Sequence, residues 1–282
     1  MKLVIVSGLS GSGKSIALQV FEDLEYYCID NLPINMLDAL TKELISANHD
    51  YVAIGIDARN VTSELEFFPE QIKQLTNNNI DCEIIFLEAN DAALIKRFSE
   101  TRRKHPLSNP ETPLNEAVIQ ERFLLEAISS RADLRIDTSA TNVHQLRDLI
   151  KGRVQQADNQ GISIMFESFG FKHGMPTNAD FVFDIRCLPN PHWIPELRAL
   201  TGFDKAVIDY LGEHQEVEEM FNDIMNFIEK WLPRFEADNR SYLTIAIGCT
   251  GGQHRSVYFA NRLAKAAKKK HNSVLSRHRE LS

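Results

Sequence analysis

Eight residues near the start of the chain, Gly8-Leu9-Ser10-Gly11-Ser12-Gly13-Lys14-Ser15, limit most tightly what the sequence can fold into. They satisfy G-x-x-x-x-G-K-[ST] at every fixed position. An apolar run, Leu3 to Val6, comes directly before them, and helical spacing (Ile16, Ala17, Val20, Phe21, Leu24) directly after. A strand that ends in a glycine turn and opens a helix directs consecutive backbone N–H groups and the positive helix end at one point, which suits an anion. The competing reading is a small-residue turn that only tightens a strand–helix joint. On the phosphate reading, Gly8, Leu9, Ser10, Gly11, Ser12 and Gly13 cradle a triphosphate, Lys14 reaches its β- and γ-phosphates, and the Ser15 hydroxyl ligates Mg²⁺.

Such a loop belongs to parallel α/β architecture, and the first half of the chain repeats the pattern. Strands are expected at 2–7, 26–30, 51–57, 82–88 and 134–138. Helices are expected at 14–24, 35–46, 63–77, 91–103, 114–130 and 143–152. The polar stretch Gly152 to Gly161 then reads as a linker, dividing the 282 residues into a kinase-like P-loop domain, 1–153, and a smaller α/β domain, 154–282. In the second domain strands are expected at 162–170, 180–187 and 242–248, and helices at 204–211, 213–231 and 256–270. Asp57 and Asp30 each end an apolar run, as a Walker B aspartate would, although aspartates there also form turns. Arg97, Arg102, Arg103 and Lys104 stand where small P-loop kinases supply arginines to the transferred phosphate, or else form a solvated basic helix end.

A second strand–glycine–helix arrangement runs through Cys249-Thr250-Gly251-Gly252-Gln253-His254-Arg255-Ser256. Its spacing is that of the C-x₅-R-[ST] loop of cysteine phosphatases, but Gly248 stands where those enzymes usually place a histidine, and no general acid can be assigned. Phosphate binding without covalent chemistry is the preferred reading, with Asp184, Arg186 and His192 completing a pocket for a phosphorylated metabolite.

Charge singles out the C-terminal end. From His254 to Ser282 eight Lys and Arg face one acid, Glu280, so this segment carries +7 of a net −8 and leaves −15 elsewhere. A basic end on an acidic body suggests RNA, while a frayed solvated terminus is the plain alternative. No apolar run reaches eighteen residues and no signal-peptide pattern opens the chain, so it is expected to be neither exported nor membrane-spanning. Four dispersed cysteines, without a C-x-x-C pair, argue against a disulfide framework or a zinc site and fit a reducing cytoplasm.

Six segments, GLSGSGKS (8–15), YYCIDNLP (26–33), ETRRKHPL (100–107), FGFKHG (169–174), CLPNPHW (187–193) and GCTGGQHRSVY (248–258), together resemble the RapZ family of RNase adapter proteins and related bacterial nucleotide-binding proteins. The resemblance runs over nearly the whole chain. It implies a cytoplasmic regulatory protein, at most a weak ATPase or GTPase, that binds ATP or GTP with Mg²⁺, with a GTP-associated segment at Ile56, Asp57, Ala58 and Arg59. It implies a glucosamine-6-phosphate pocket of Asp184, Arg186, His192, Cys249, Thr250, Gly251, His254 and Arg255. It further implies small-RNA contacts at Lys268, Lys269, Lys270, Arg277 and Arg279, delivery of that RNA to the endoribonuclease RNase E, and a homotetramer. Unlike adapter members of the family, this sequence carries no further basic residues after Glu280-Leu281-Ser282. The alternatives from the residues alone are a small-molecule P-loop kinase or NTPase and a C-x₅-R phosphatase.

Overall fold

Continuous apolar runs, not alternating ones, mark strands buried on both faces, and such strands build parallel sheets covered by helices. The computed structural model of the chain describes residues 1–60, 68–78, 80–157, 162–238 and 240–281. It divides into two compact units, Met1–Lys151 and Gly152–Ser282.

Unit 1 follows β1 (Lys2–Gly8), α1 (Lys14–Asp23), β2 (Tyr27–Ile29), α2 (Leu37–Ser46), β3 (Tyr51–Gly55), α3 (Phe68–Asn77), β4 (Asp81–Glu88), α4 (Asp91–Thr101), α5 (Leu114–Leu124), α6 (Glu126–Ser129), β5 (Leu134–Asp137) and the start of α7 (Val143–Ala157), whose last residues, from Gly152, belong to unit 2. Its five strands are all parallel, in the order β2-β3-β1-β4-β5. Leu3, Val4, Ile5 and Val6 are wholly buried at the centre of that sheet, each adding about 1.5–3 kcal/mol of hydrophobic stabilisation. Because the chain leaves β1 toward β2 on one side and places β4 on the other, a crevice opens beyond the carboxyl ends of the strands, where ligands bind in such sheets.

Two expectations for this unit need correction, and a third lies partly outside the described residues. The helix read over 114–130 breaks at the buried Leu125 into α5 and α6. Residues 63–67 of the expected helix 63–77 lie outside the described residues. The polar linker does not begin at Gly152, because α7 continues to Ala157. The reason is Arg153, polar in sequence yet fully buried: its guanidinium donates to Ser163 O (3.0 Å) and Thr244 Oγ1 (2.6 Å) and lies over the Tyr242 ring. Burial pulls that guanidinium down to about 10. The remainder of the expected linker, 158–161, is outside the described residues.

Unit 2 continues with β6 (Ser163–Gly170), β7 (Phe181–Asp184), α8 (Lys205–Gly212), α9 (Gln215–Ala237), β8 (Tyr242–Cys249), α10 (Arg255–Ala267) and β9 (Val274–His278). These four strands are also parallel, ordered β7-β8-β6-β9. β7 stops at Asp184, three residues before the expected end, because that carboxylate accepts the Arg186 N–H (3.0 Å) and turns the chain. β9 is absent from the sequence reading, where its arginines dominated. In the fold, Val274 to His278 pair in register with Ile164 to Ser168, and Val274 is buried.

Candidate functional site

At the end of β1 the Gly8 main chain lies so close to β4 that a Cβ would sit 2.2 Å from Leu87 O, and its φ is +147°. Only glycine permits this approach. Beyond it the loop turns through a Ser12 N–H to Leu9 O bond (3.0 Å) and enters α1 at Gly13, where no side chain caps the helix. The first N–H groups of α1 are thus left for a ligand.

Several side chains brace the loop from behind. Glu121 of α5, wholly buried, accepts from Ser10 N–H (2.8 Å) and Ser10 Oγ (2.6 Å). The Leu107 N–H donates to His105 Nδ1 (3.2 Å), so the proton of this ring sits on Nε2 and is donated to Glu121 Oε2 (3.1 Å). Arg97 donates to Gly11 O (3.0 Å) and to Thr138, whose hydroxyl in turn donates to Ser12 O (3.0 Å). Arg97, a candidate for the transferred phosphate, therefore supports the loop's main chain. Glu121 escaped the sequence reading, although a glutamate on the apolar Ala117–Val118 face of a helix was its available signal.

The loop borders a cavity of about 630 Å³, also lined by Asp57, Arg59, Arg97, Arg103 and Lys104. Lys14 donates to Gly8 O (3.2 Å). Burial pulls its ammonium below the ordinary value, against the raising fields of Asp57, Glu121 and Asp30. Both candidate aspartates thus come close enough to Lys14 for their charges to act on it. Burial works against ionisation of Asp57, but hydrogen bonds from Arg59 and the charge of Lys14 outweigh it and hold the carboxyl below the usual range. Asp57 and Arg59 form a bidentate pair, with a closest approach of 2.6 Å. Their neighbours Ile56 and Ala58 are buried in the hydrophobic core, so from 56–59 only Asp57 and Arg59 line the cavity.

The second loop is built differently. Cys249 Sγ accepts the Gly252 N–H (3.2 Å) and shares a hydrogen bond with Ser256 Oγ (3.1 Å), so the loop is wound around a buried thiol. Arg255 donates to the Arg186 and Leu188 carbonyls (both 2.8 Å) and reaches Thr250 Oγ1 at 3.5 Å, tying the loop to the turn after β7. Burial lowers its pKa from the usual guanidinium value. Asp184 and Arg186 pair at 2.7 Å, and the Arg186 guanidinium lies 4.1 Å from the Phe171 ring centroid. The Arg186 hydrogen bonds hold the Asp184 carboxyl below the usual carboxylate range. His254 bonds to Leu197 O (3.1 Å), and burial lowers its pKa; its ring centroid is 6.3 Å from that of the exposed His192. Gly248 is required because a Cβ there would lie 2.5 Å from the Phe169 and Phe171 rings. The eight residues expected to hold a sugar phosphate therefore gather around this loop and the turn after β7.

The basic end is less uniform than its sequence. Lys268, Lys269 and Lys270 are exposed just after α10, although Lys270 pairs with Glu229 (3.2 Å). Arg277 lies within β9, paired at 3.0 Å with the buried Glu167, so its guanidinium is engaged inside the sheet and is not part of a solvated tail. Arg279 donates to Gly174 O (3.2 Å). All four cysteines are free, and no group of three or more metal-ligating side chains occurs among the described residues. No described helix is long and apolar enough to cross a membrane.

Comparison with known proteins accounts for the whole chain. It is 56% identical over 283 residues to a nucleotide-binding protein of Nitrosococcus oceani, and 54% identical over 285 residues to one of Ectopseudomonas mendocina, covering 100% of both chains in each case. Among solved structures it is similar to a sugar kinase from Janibacter (TM-score 0.37, 14% identity, 55% of this chain and 92% of that one). It is also similar to the shikimate kinase of Bacteroides thetaiotaomicron (TM-score 0.33, 15% identity, 55% and 96%). Residues 1–158 match the RapZ-like N-terminal domain and residues 162–282 the RapZ C-terminal domain, and with relatives this similar over their full length the chain belongs to the RapZ family.

Proposed function

We propose that this protein is a regulatory binding protein that takes a nucleoside triphosphate on unit 1 and a phosphorylated amino sugar and RNA on unit 2. The observation that carries the first part is the uncapped, glycine-hinged loop at 8–15, open to a cavity that also holds Lys14 and Asp57. Relatives that match the entire chain are named nucleotide-binding proteins, which supports the same reading. Ser12 Oγ is buried beside the cavity without a hydrogen-bond partner among the described residues, a donor that a phosphate oxygen would satisfy. Ser15 and Asp57 offer the hard oxygen donors that a nucleotide-borne Mg²⁺ takes while keeping several waters. ATP and GTP both fit this chemistry.

On unit 2, the loop amides, Arg255 and Thr250 suit the phosphate of glucosamine-6-phosphate, with Asp184 available to an amino group. The phosphatase alternative is weaker. Asp184 is held in its ionised form by Arg186 and is poorly disposed to protonate a leaving group. Lys268 and Lys269, exposed and without partners among the described residues, are the side chains most available to RNA phosphates. Membership of the family supports the further reading that the protein acts in the cytoplasm as a tetramer and presents a small regulatory RNA to RNase E.

The test is a gel shift of a structured small RNA across a salt series, comparing wild type with Lys268/Lys269/Lys270→Ala. Each RNA phosphate that a lysine no longer neutralises should flatten the salt slope by about one, so the variant should bind more weakly and less salt-dependently. Equal binding and equal slope would remove the basic end from the interface.

A further inference from the structure

The cavity over the phosphate loop carries more positive charge than the loop uses. Among the described residues five cations line it, Lys14, Arg59, Arg97, Arg103 and Lys104, against the one carboxylate of Asp57. Three have local duties: Lys14 donates to Gly8 O, Arg59 grips Asp57, and Arg97 supports the loop carbonyls. Arg103 and Lys104 have no hydrogen-bond or ion-pair partner among the described residues. Two adjacent like charges in one cavity repel each other, and an arriving anion removes that penalty.

The segment that carries them is fixed to the loop. Arg102, at φ +53°, ends α4 in the left-handed conformation and turns the chain. Arg103, Lys104 and Pro106 then line the cavity, while His105 between them is wholly buried and donates to Glu121. The same carboxylate holds the main chain and hydroxyl of Ser10. A buried carboxylate with three donors is costly to disturb, because each would be left unsatisfied. Its bonds therefore keep the main chain of 103–106 at a set distance from the loop that receives the triphosphate.

We propose that this cavity is a two-ligand site, in which Arg103 and Lys104 hold a phosphate-bearing small molecule beside the nucleotide on the 8–15 loop. The guanidinium fork of Arg103 matches a phosphate bidentately, and Lys104 adds a compact charge. The proposal rests on the nucleotide reading of the loop, and the following experiment separates the two.

Wild type, Arg103→Ala/Lys104→Ala and, as a control, the exposed pair Lys205→Ala/Lys230→Ala are each saturated with the Mg²⁺ complex of a non-hydrolysable ATP analogue and titrated calorimetrically with inorganic phosphate. Wild type should bind phosphate at one more site than the 103/104 variant, the other being the Cys249 loop, and the control should match wild type. Nucleotide affinity in the 103/104 variant should stay within about threefold of wild type, because those side chains serve the second ligand and not the triphosphate. Identical phosphate isotherms for wild type and the 103/104 variant would overturn the proposal. So would a loss of nucleotide affinity beyond about tenfold, which would assign both cations to the nucleotide itself. Should the analogue fail to bind wild type, the nucleotide reading falls, while the difference in phosphate stoichiometry still decides the Arg103–Lys104 site.

Discussion

The loops at 8–15 and 249–255 share a plan, a central parallel strand that ends in glycines and opens a helix, yet they differ in what their interior holds. The first is hollow: its bracing bonds come from Glu121, Arg97 and Thr138 behind it, and its helix, without a side-chain cap just as α10 is, starts beside a cavity. The second is filled by its own Cys249 thiol, which takes the Gly252 N–H, and its helix opens with an arginine already bonded to two carbonyls. One strand–glycine–helix pattern can thus form an extended cradle or a tight socket, and the side chains packed around it decide which.

The comparison can be broken most severely at its glycines. Gly8→Ala forces a Cβ to within 2.2 Å of a main-chain carbonyl at the centre of a sheet, which cannot move aside. Unit 1 should lose about 3 kcal/mol or more. Gly252→Ala, at φ +73°, meets the flexible end of Glu280 first (2.3 Å) and Gly170 N second (2.7 Å), so unit 2 should lose less, about 1–2 kcal/mol. Urea unfolding separates the units, because both tryptophans, Trp193 and Trp231, lie in unit 2 while circular dichroism reports on both. Equal costs in the two units would show that the loops are equally pliable.

Next in size are the two ligand cations. Removing one charge-assisted hydrogen bond to phosphate costs about 1.5–3 kcal/mol, so Lys14→Ala should weaken nucleotide binding by about 10–100-fold, and Arg255→Ala should weaken sugar-phosphate binding similarly. Calorimetry of both variants with both ligands checks this. If Lys14→Ala reduced sugar-phosphate binding as much as nucleotide binding, the assignment of one ligand to each loop would be wrong.

The smallest effect concerns pH. Burial holds His254 and His278, both in unit 2, below the ordinary histidine value of 6.5. Above that value both states are neutral and the stability is fully present. As pH falls through 6.5 the unfolded chain takes up protons that the folded unit resists, and stability declines. Glu280, raised by burial, acts in the opposite sense. His278→Gln should therefore flatten the fall in the tryptophan-detected melting temperature between pH 6.5 and 5.5, an effect of about 1 kcal/mol or less. An unchanged slope would remove His278 as a contributor.

Much of this was legible in the sequence. All five strands of unit 1 fall where apolar runs predicted them, and the loop at 8–15 and the cluster around Cys249 stand out from short fixed spacings. Pattern could not reveal Arg153, because a buried arginine reads as polar until Ser163 and Thr244 are brought to it across the fold. Nor could it reveal β9, since Arg277 advertises solvent although Glu167, far earlier in the chain, neutralises it inside the sheet.

What the chain's order of residues determined by itself is whatever depends on neighbours in sequence: strand and helix periods, the glycines that permit sharp turns, and the lysine and serine that follow them. What only the tertiary structure decided is the pairing of distant charges. Which arginine braces a loop, which grips an aspartate and which remains free depends on distances between segments tens of residues apart, and electrostatic and hydrogen-bond energies depend on those distances.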